Sequence, residues 1–256
     1  DNLINQDVVK TILEKNGHTV DLVGSGKGAL AALREKQFDL VLMDIQMPEM
    51  DGITATREIR KGLQGTKNPD IPILALTANV MPGNTEHYLR VGMNDSITKP
   101  INQSELLAKI LTWGGKNKVS APVVEQVEKT KGRSSESPVT QVIDFNGLLA
   151  RVVNDPSVAL RLLGKMEQKI DADVAEIEKA IEEREGAQVE FLAHRLKSGA
   201  GNLSAEPLRA ALARLESLGR AEDWEAIQQC FDTVRKESDL FKKEASEIIR
   251  EKTSGE

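Results

Sequence analysis

Phe38-Asp39-Leu40-Val41-Leu42-Met43-Asp44 is an almost continuous apolar run closed by a carboxylate. A strand this apolar is buried on both faces, as strands are in a parallel sheet covered by helices. Outward from it, further short apolar runs lie at Thr19–Val23, Ile73–Ala78 and Ser96–Thr98. Helical patterns separate them around Ala29–Leu33, Ile53–Ile59, Thr85–Val91 and Ser104–Trp113. Near the start, Leu3/Ile4, Val8 and Ile12 share one helical face, closed by Gly17. Strands alternating with helices in this way predict an α/β doubly wound parallel sheet over residues 1–113. In such a sheet, ligands bind at the carboxyl ends of the strands.

Between Gly114 and Val142 the composition changes to Gly-Gly, Lys-rich, Ser-rich and Pro-containing stretches with no lasting apolar period. Residues 114–142 are therefore expected to form a flexible linker. Beyond it, residues 143–253 carry only helical periods. Asp155-Pro156 supplies a cap and a first-turn proline ahead of a stripe of Val158, Leu162, Met166, Ile170, Val174, Ile177 and Ile181. Three more stripes follow, beginning at Val189, Leu208 and Trp224, and a short helix near Phe145–Val153 leads in. Four amphipathic helices with short connections predict an all-α antiparallel four-helix bundle.

The composition excludes several classes of function. Acids outnumber bases 40 to 34, and aromatics are 3% of residues. No nucleic-acid surface is therefore expected, since that needs clustered Lys/Arg or stacking rings. The single cysteine, Cys230, allows no internal disulfide and no thiolate metal cage, which suits a reducing compartment. No apolar run approaches the roughly 18 residues of a membrane span, so no membrane contact is expected of this segment.

Asp44 ends the buried strand, Thr77 ends a second, and Lys99 ends a third ahead of Pro100. An acid, a hydroxyl and an ammonium at three strand termini on one sheet edge converge on one point. A carboxylate there attacks phosphorus well only if a divalent cation and nearby donors neutralise the incoming charge. This pattern resembles the receiver domain of two-component response regulators over nearly all of residues 1–113. The resemblance implies the strand order 2-1-3-4-5, with the first strand missing ahead of Asp1, and phosphorylation at Asp44. It also implies Mg²⁺ held by Asp1, Asp44 and the Gln46 backbone carbonyl, phosphoryl contacts from Thr77 and Lys99, and a cis Lys99-Pro100 peptide. Ser96 departs from the family by standing where many receivers keep an aromatic ring, which favours a carrier role over an allosteric output.

His194 lies in Phe191-Leu192-Ala193-His194-Arg195-Leu196-Lys197-Ser198-Gly199-Ala200-Gly201-Asn202-Leu203. Helical geometry groups Glu190, His194, Lys197/Ser198 and Gly201 opposite the leucine stripe, so the imidazole is expected to point outward. A neutral imidazole is a good phosphoryl acceptor. Lys197, one turn on, would offset phosphate charge, and Ser198 and Gly201 would leave low relief for a partner. The stretch looks like the active helix of the histidine phosphotransfer (HPt) domain, a resemblance covering residues 143 to about 250. His18, after Asn16-Gly17, and His87, beside Tyr88, are expected to be plain surface residues. Gly24-Ser25-Gly26-Lys27-Gly28 lacks the spacing of a phosphate loop and is read as a strand-to-helix turn.

Receiver followed by HPt is the order at the C-terminus of hybrid sensor histidine kinases, which makes such a kinase the expected parent. The expected partners are a phosphohistidine donor and a downstream response-regulator receiver docking on the His194 helix. The segment itself has no ATP-binding kinase core and is expected to be cytoplasmic, with the parent anchored in the inner membrane by upstream segments. Two rival readings are a docking module that uses neither site and a haloacid-dehalogenase-type aspartyl-phosphate hydrolase. The latter wants a second Asp where Gln46 stands. With the interior first strand missing, two neighbouring strands lose partners, so this fragment is expected to fold poorly. A cooperative thermal transition together with full Mg²⁺-dependent phosphorylation of the 1–113 piece would refute that expectation.

Overall fold

The computed structural model describes residues 3–47, 49–62, 67–78, 82–114 and 141–254. Helices α1 (Leu3–Lys15) and α2 (Gly26–Glu35) precede strand β1 (Val41–Asp44). Then come α3 (Gly52–Arg60), β2 (Ile73–Thr77), α4 (Pro82–Val91), β3 (Asp95–Thr98) and α5 (Gln103–Trp113). The strands pair in parallel in the order β1-β2-β3, with Asp44 opposite Leu76 and Thr77 opposite Thr98. Side chains alternate across this sheet, as a two-residue period requires. Met43, Ile73 and Ala75 bury against α2, α3 and α4, while Leu74 and Ile97 bury on the other face with residues of α1 and α5.

Thr19–Val23, expected as a strand, is irregular. A strand exists only where a neighbour exchanges hydrogen bonds with it. In the order 2-1-3-4-5 that neighbour would be the first strand, and the three observed strands are the last three of the series. The apolar run Phe38–Met43 becomes a strand only from Val41, whose backbone N–H reaches the Pro72 carbonyl at 2.8 Å. Of the expected linker, residues 115–140 lie outside the described residues.

The second half begins with the short α6 (Phe145–Arg151), followed by α7 (Pro156–Glu182), α8 (Gly186–Asn202), α9 (Glu206–Ala221) and α10 (Trp224–Thr253). Asp155 caps α7 by accepting from the backbone N–H groups of Ser157 and Val158, ahead of the first-turn proline. Helix α9 closes on Glu222 in the left-handed region (φ 55°), which turns the chain into α10. The expected stripes are the bundle core: Leu162, Met166, Ile170 and Ile177 meet Val189, Leu196, Leu212, Leu215, Phe231 and Phe241. Cys230 is buried among them. No helix among the described residues is long and apolar enough to cross a membrane.

The two halves share one apolar cluster. Helix α1 lies against α7 and α8 as well as against its own sheet, so it is apolar over more than a single stripe. Lys15 pairs with Asp155, and Asp7 with Lys165, across this contact. Phe241 is fully buried at the centre of α10. Phe241→Ala should therefore lower the unfolding free energy of the bundle by about 3–5 kcal/mol, measured by urea denaturation of the full chain.

Candidate functional site

The parallel register of β1, β2 and β3 builds the first site. Strand β2 runs one residue past the end of β1, β3 ends level with β2, and Lys99 directly follows β3, so Asp44, Thr77 and Lys99 line one edge of the sheet. Lys99 donates from Nζ to Asp44 Oδ2 at 2.6 Å, and its backbone N–H reaches the Thr77 carbonyl at 2.7 Å. Asp44 Oδ1 accepts from the backbone N–H of Gln46 at 3.2 Å. Lys99 and Thr77 are buried, so the ammonium is committed to this cleft. The peptide between Lys99 and Pro100 is cis. Thr77, Lys99 and Asp44 thus come together as the sequence predicts.

The loop after Asp44 folds back tightly on it. Gly52 donates its backbone N–H to the Ile45 carbonyl at 3.0 Å, and a Cβ there would lie 2.1 Å from the Asp44 carbonyl oxygen. Only glycine permits that approach. Asp51 caps α3 by accepting from Thr54 N–H at 2.7 Å, which fixes the loop at its far end. The same fold keeps Gln46 beside Asp44. The carboxylate of Asp44 and the carbonyl of Gln46 are hard oxygen donors of the kind Mg²⁺ prefers while retaining several waters. Asp1, the third expected donor, lies outside the described residues.

One residue of this site escaped the sequence reading. Tyr88 of α4 is buried, and its Oη lies 3.1 Å from Thr77 Oγ1. Its position beside the exposed His87 gave no reason to expect an inward ring. The available signal was a lone tyrosine one turn from the Val91 end of an otherwise polar helix. His87 and His18 are exposed, as expected.

The second site differs from expectation. His194 does not point out to solvent; it is 4% exposed. Its Nδ1 lies 2.8 Å from Glu216 Oε1 of α9, and Lys197 donates to the other oxygen of the same carboxylate. A carboxylate only accepts, so Nδ1 carries the proton and Nε2 keeps the free lone pair. The helical wheel located the face of α8 correctly, but a wheel does not know what packs on it. Ser198 and Gly201, expected as open low relief, are buried too. Lys197 serves Glu216 rather than standing free for phosphate.

Glu216 was missed because it follows Leu215 in what reads as a plain amphipathic helix. A charged residue four positions after Leu212, on the stripe side of α9, was the signal. Burial pushes its carboxyl pKa up, but hydrogen bonds from His194 and Lys197, with the Lys197 charge, outweigh burial and hold it below the usual carboxylate range.

Residues 1–111 match the response regulator receiver domain and residues 161–249 match the Hpt domain. The chain therefore belongs to these two families: it is a receiver domain followed by an Hpt domain, a pairing of phosphorelay signal transduction. Among curated proteins it is 33% identical over 227 residues to the sensor histidine kinase GacS of Pseudomonas protegens, covering 89% of this chain and 24% of that protein. It is 28% identical over 216 residues to the aerobic respiration control sensor protein ArcB of Escherichia coli (strain K12), covering 84% and 26%. The chain thus spans about a quarter of the length of these relatives. Among solved structures it is similar to the receiver domain of the sensor histidine kinase PA1611 from Pseudomonas aeruginosa, described with magnesium coordinated in its active site cleft. That similarity is at 39% identity and a TM-score of 0.40, over 44% of this chain and 90% of that one.

A group with a lowered folded pKa stabilises the fold above its unfolded value, near 4.3 for Glu, and that stability is lost as pH falls through the folded value. Glu216→Gln should remove this part of the acid sensitivity of the bundle. The thermal midpoint of the variant should fall less between pH 6 and pH 3 than that of the wild type, as read by circular dichroism.

Proposed function

We propose that Asp44 accepts a phosphoryl group from a phosphohistidine donor and that His194 takes it in a later step toward a separate receiver. The observation that carries this reading is the pairing of a strand-end carboxylate with a buried ammonium 2.6 Å away. In the first step an Asp44 oxygen attacks phosphorus, the P–N bond of the donor breaks, and the imidazole leaves. Lys99 stays within reach of the oxygens as charge shifts onto the acyl phosphate. Thr77 donates its hydroxyl to a phosphoryl oxygen in exchange for its contact with Tyr88. When bound, Mg²⁺ would neutralise phosphoryl charge, held by Asp1, Asp44 and the Gln46 carbonyl.

In the second step Nε2 of His194 attacks phosphorus, the bond to Asp44 breaks, and the carboxylate is restored. Glu216 holds the imidazole through Nδ1–H and stabilises the cation that forms when Nε2 becomes bonded. Lys197 keeps Glu216 in place and limits the net negative charge beside the incoming phosphoryl group. No ATP enters either step. A parent with an upstream kinase core, as in the sensor kinases that the chain resembles, would supply the donor, and a response-regulator receiver would be the final acceptor.

The test is a transfer assay on the full chain with Mg²⁺ and a radiolabelled, phosphorylated two-component kinase core. Acyl phosphate on Asp44 is labile to alkali, whereas phosphohistidine is labile to acid. Asp44→Ala should abolish label on both residues, and His194→Gln should leave label on Asp44 alone. Label reaching His194 at the wild-type rate in the Asp44→Ala chain would refute the order.

A further inference from the structure

A polar contact that no sequence pattern announced joins the receiver to the bundle. Asn202, the last residue of α8, accepts through Oδ1 from the Ile101 backbone N–H at 3.3 Å and donates through Nδ2 to Asn5 Oδ1 at 2.6 Å. Asn202 is 1% exposed and Asn5 7%. Around this pair, Asp7 meets Lys165, Lys15 meets Asp155, and Arg161 Nη2 lies 3.4 Å from Thr11 Oγ1. On the wheel of α1, Asp7 and Thr11 on one side and Asn5 on the other bracket Ile4 and Val8, both buried, with Lys15 on the same face.

The position of the contact matters. Gly201 stands two turns after His194 on the same face of α8, about 10 Å along the axis. A Cβ on Gly201 would lie 3.8 Å from Pro100 Cβ. Pro100 follows Lys99, whose ammonium holds Asp44. The loop leaving the Asp44 cleft thus rests on the helix face that carries His194.

An apolar patch alone tolerates sliding, whereas buried amides do not, because every slip leaves donors and acceptors unpaired. Asn5 Nδ2 is itself buried without a partner among the described residues. The pair is therefore not an arrangement that maximises stability. What it adds is a single register, as a buried asparagine does between coiled-coil helices.

We propose that Asn5 and Asn202 are the specificity pair that seats a receiver on the His194 helix. This chain's own receiver occupies that face in cis, and a second receiver reaches His194 only after the first is released. The functional meaning of that release rests on the relay reading above. Two partners on one chain meet at an effective concentration of about millimolar, so a free regulator competes only when the cis contact is loosened.

Docking is read first without any phosphoryl transfer, by amide hydrogen exchange of the full chain. Asn5→Ala and Asn202→Ala should each raise exchange about fivefold or more across α1 and the stretch His194–Asn202. Asp7→Lys should do the same by facing Lys165 with a like charge, and Asp7→Lys combined with Lys165→Asp should restore protection, which a merely unfolded receiver would not. Unchanged exchange in both asparagine variants, or no recovery in the charge-swapped chain, overturns the proposal. In the second arm an Asp44→Ala chain accepts label in trans from a separate His194→Gln chain. Adding Asn5→Ala to the accepting chain should speed this transfer about tenfold, and an equal or slower rate overturns the competition. If no label moves in trans while exchange behaves as expected, the relay reading fails and the docking surface stands.

Discussion

A carboxylate shielded from water must be met by a cation or by hydrogen-bond donors, because desolvation of an unpaired charge is among the largest penalties a fold can carry. Both sites of this protein are organised around that constraint. In the receiver, Asp44 is met by Lys99 across the sheet edge; in the bundle, Glu216 is met by Lys197 and by the His194 ring. The same pairing that satisfies the buried charge also positions the reactive group. Asp44 is itself the nucleophile in our reading, whereas Glu216 orients one, which is why the two sites share a physical solution and differ in chemistry.

The receiver site depends on backbone geometry more than on side-chain choice. Parallel pairing brings the strand ends to one edge, and Gly52 lets the loop after β1 close on the Asp44 carbonyl. The bundle site depends on packing. Helices α8 and α9 lie against each other along most of their length, and that contact brings Glu216 to the histidine. Joining the two, α1 puts Ile4, Val8, Val9, Ile12 and Leu13 into the one apolar cluster that sheet and bundle share. A displacement of α1 would alter the environment of both sites at once. The Asp44 cleft and the His194 face are therefore mechanically linked through one helix and the loop after Lys99.

Much of this was legible in the chain. Continuous apolarity marked β1, helical periods marked α7 to α10, and the residues closing the strands marked the first site, because a strand's last side chain falls on the sheet edge whatever the surroundings. His194 was legible as a position on a helix face. Its burial was not, since the expectation of an outward ring rested on the wheel of α8 alone and ignored α9 and the receiver. Thr19–Val23 fails as a strand for the converse reason: local propensity favours it, but the ladder partner is not beside it. Tyr88 and Glu216 left only faint signals and Asn5 and Asn202 none, because each acts through a residue on another element.

The sequence by itself determined the two domain types, most of the elements that build them and the positions of Asp44 and His194 on those elements, because these follow from local periodicity and from residue chemistry at element ends. Only the tertiary structure decided which nitrogen of His194 is free, which carboxylate holds it, and that the receiver rests on the histidine's own helix. Those facts come from contacts between elements tens to nearly two hundred residues apart, and no local pattern encodes which distant surface a helix face will meet.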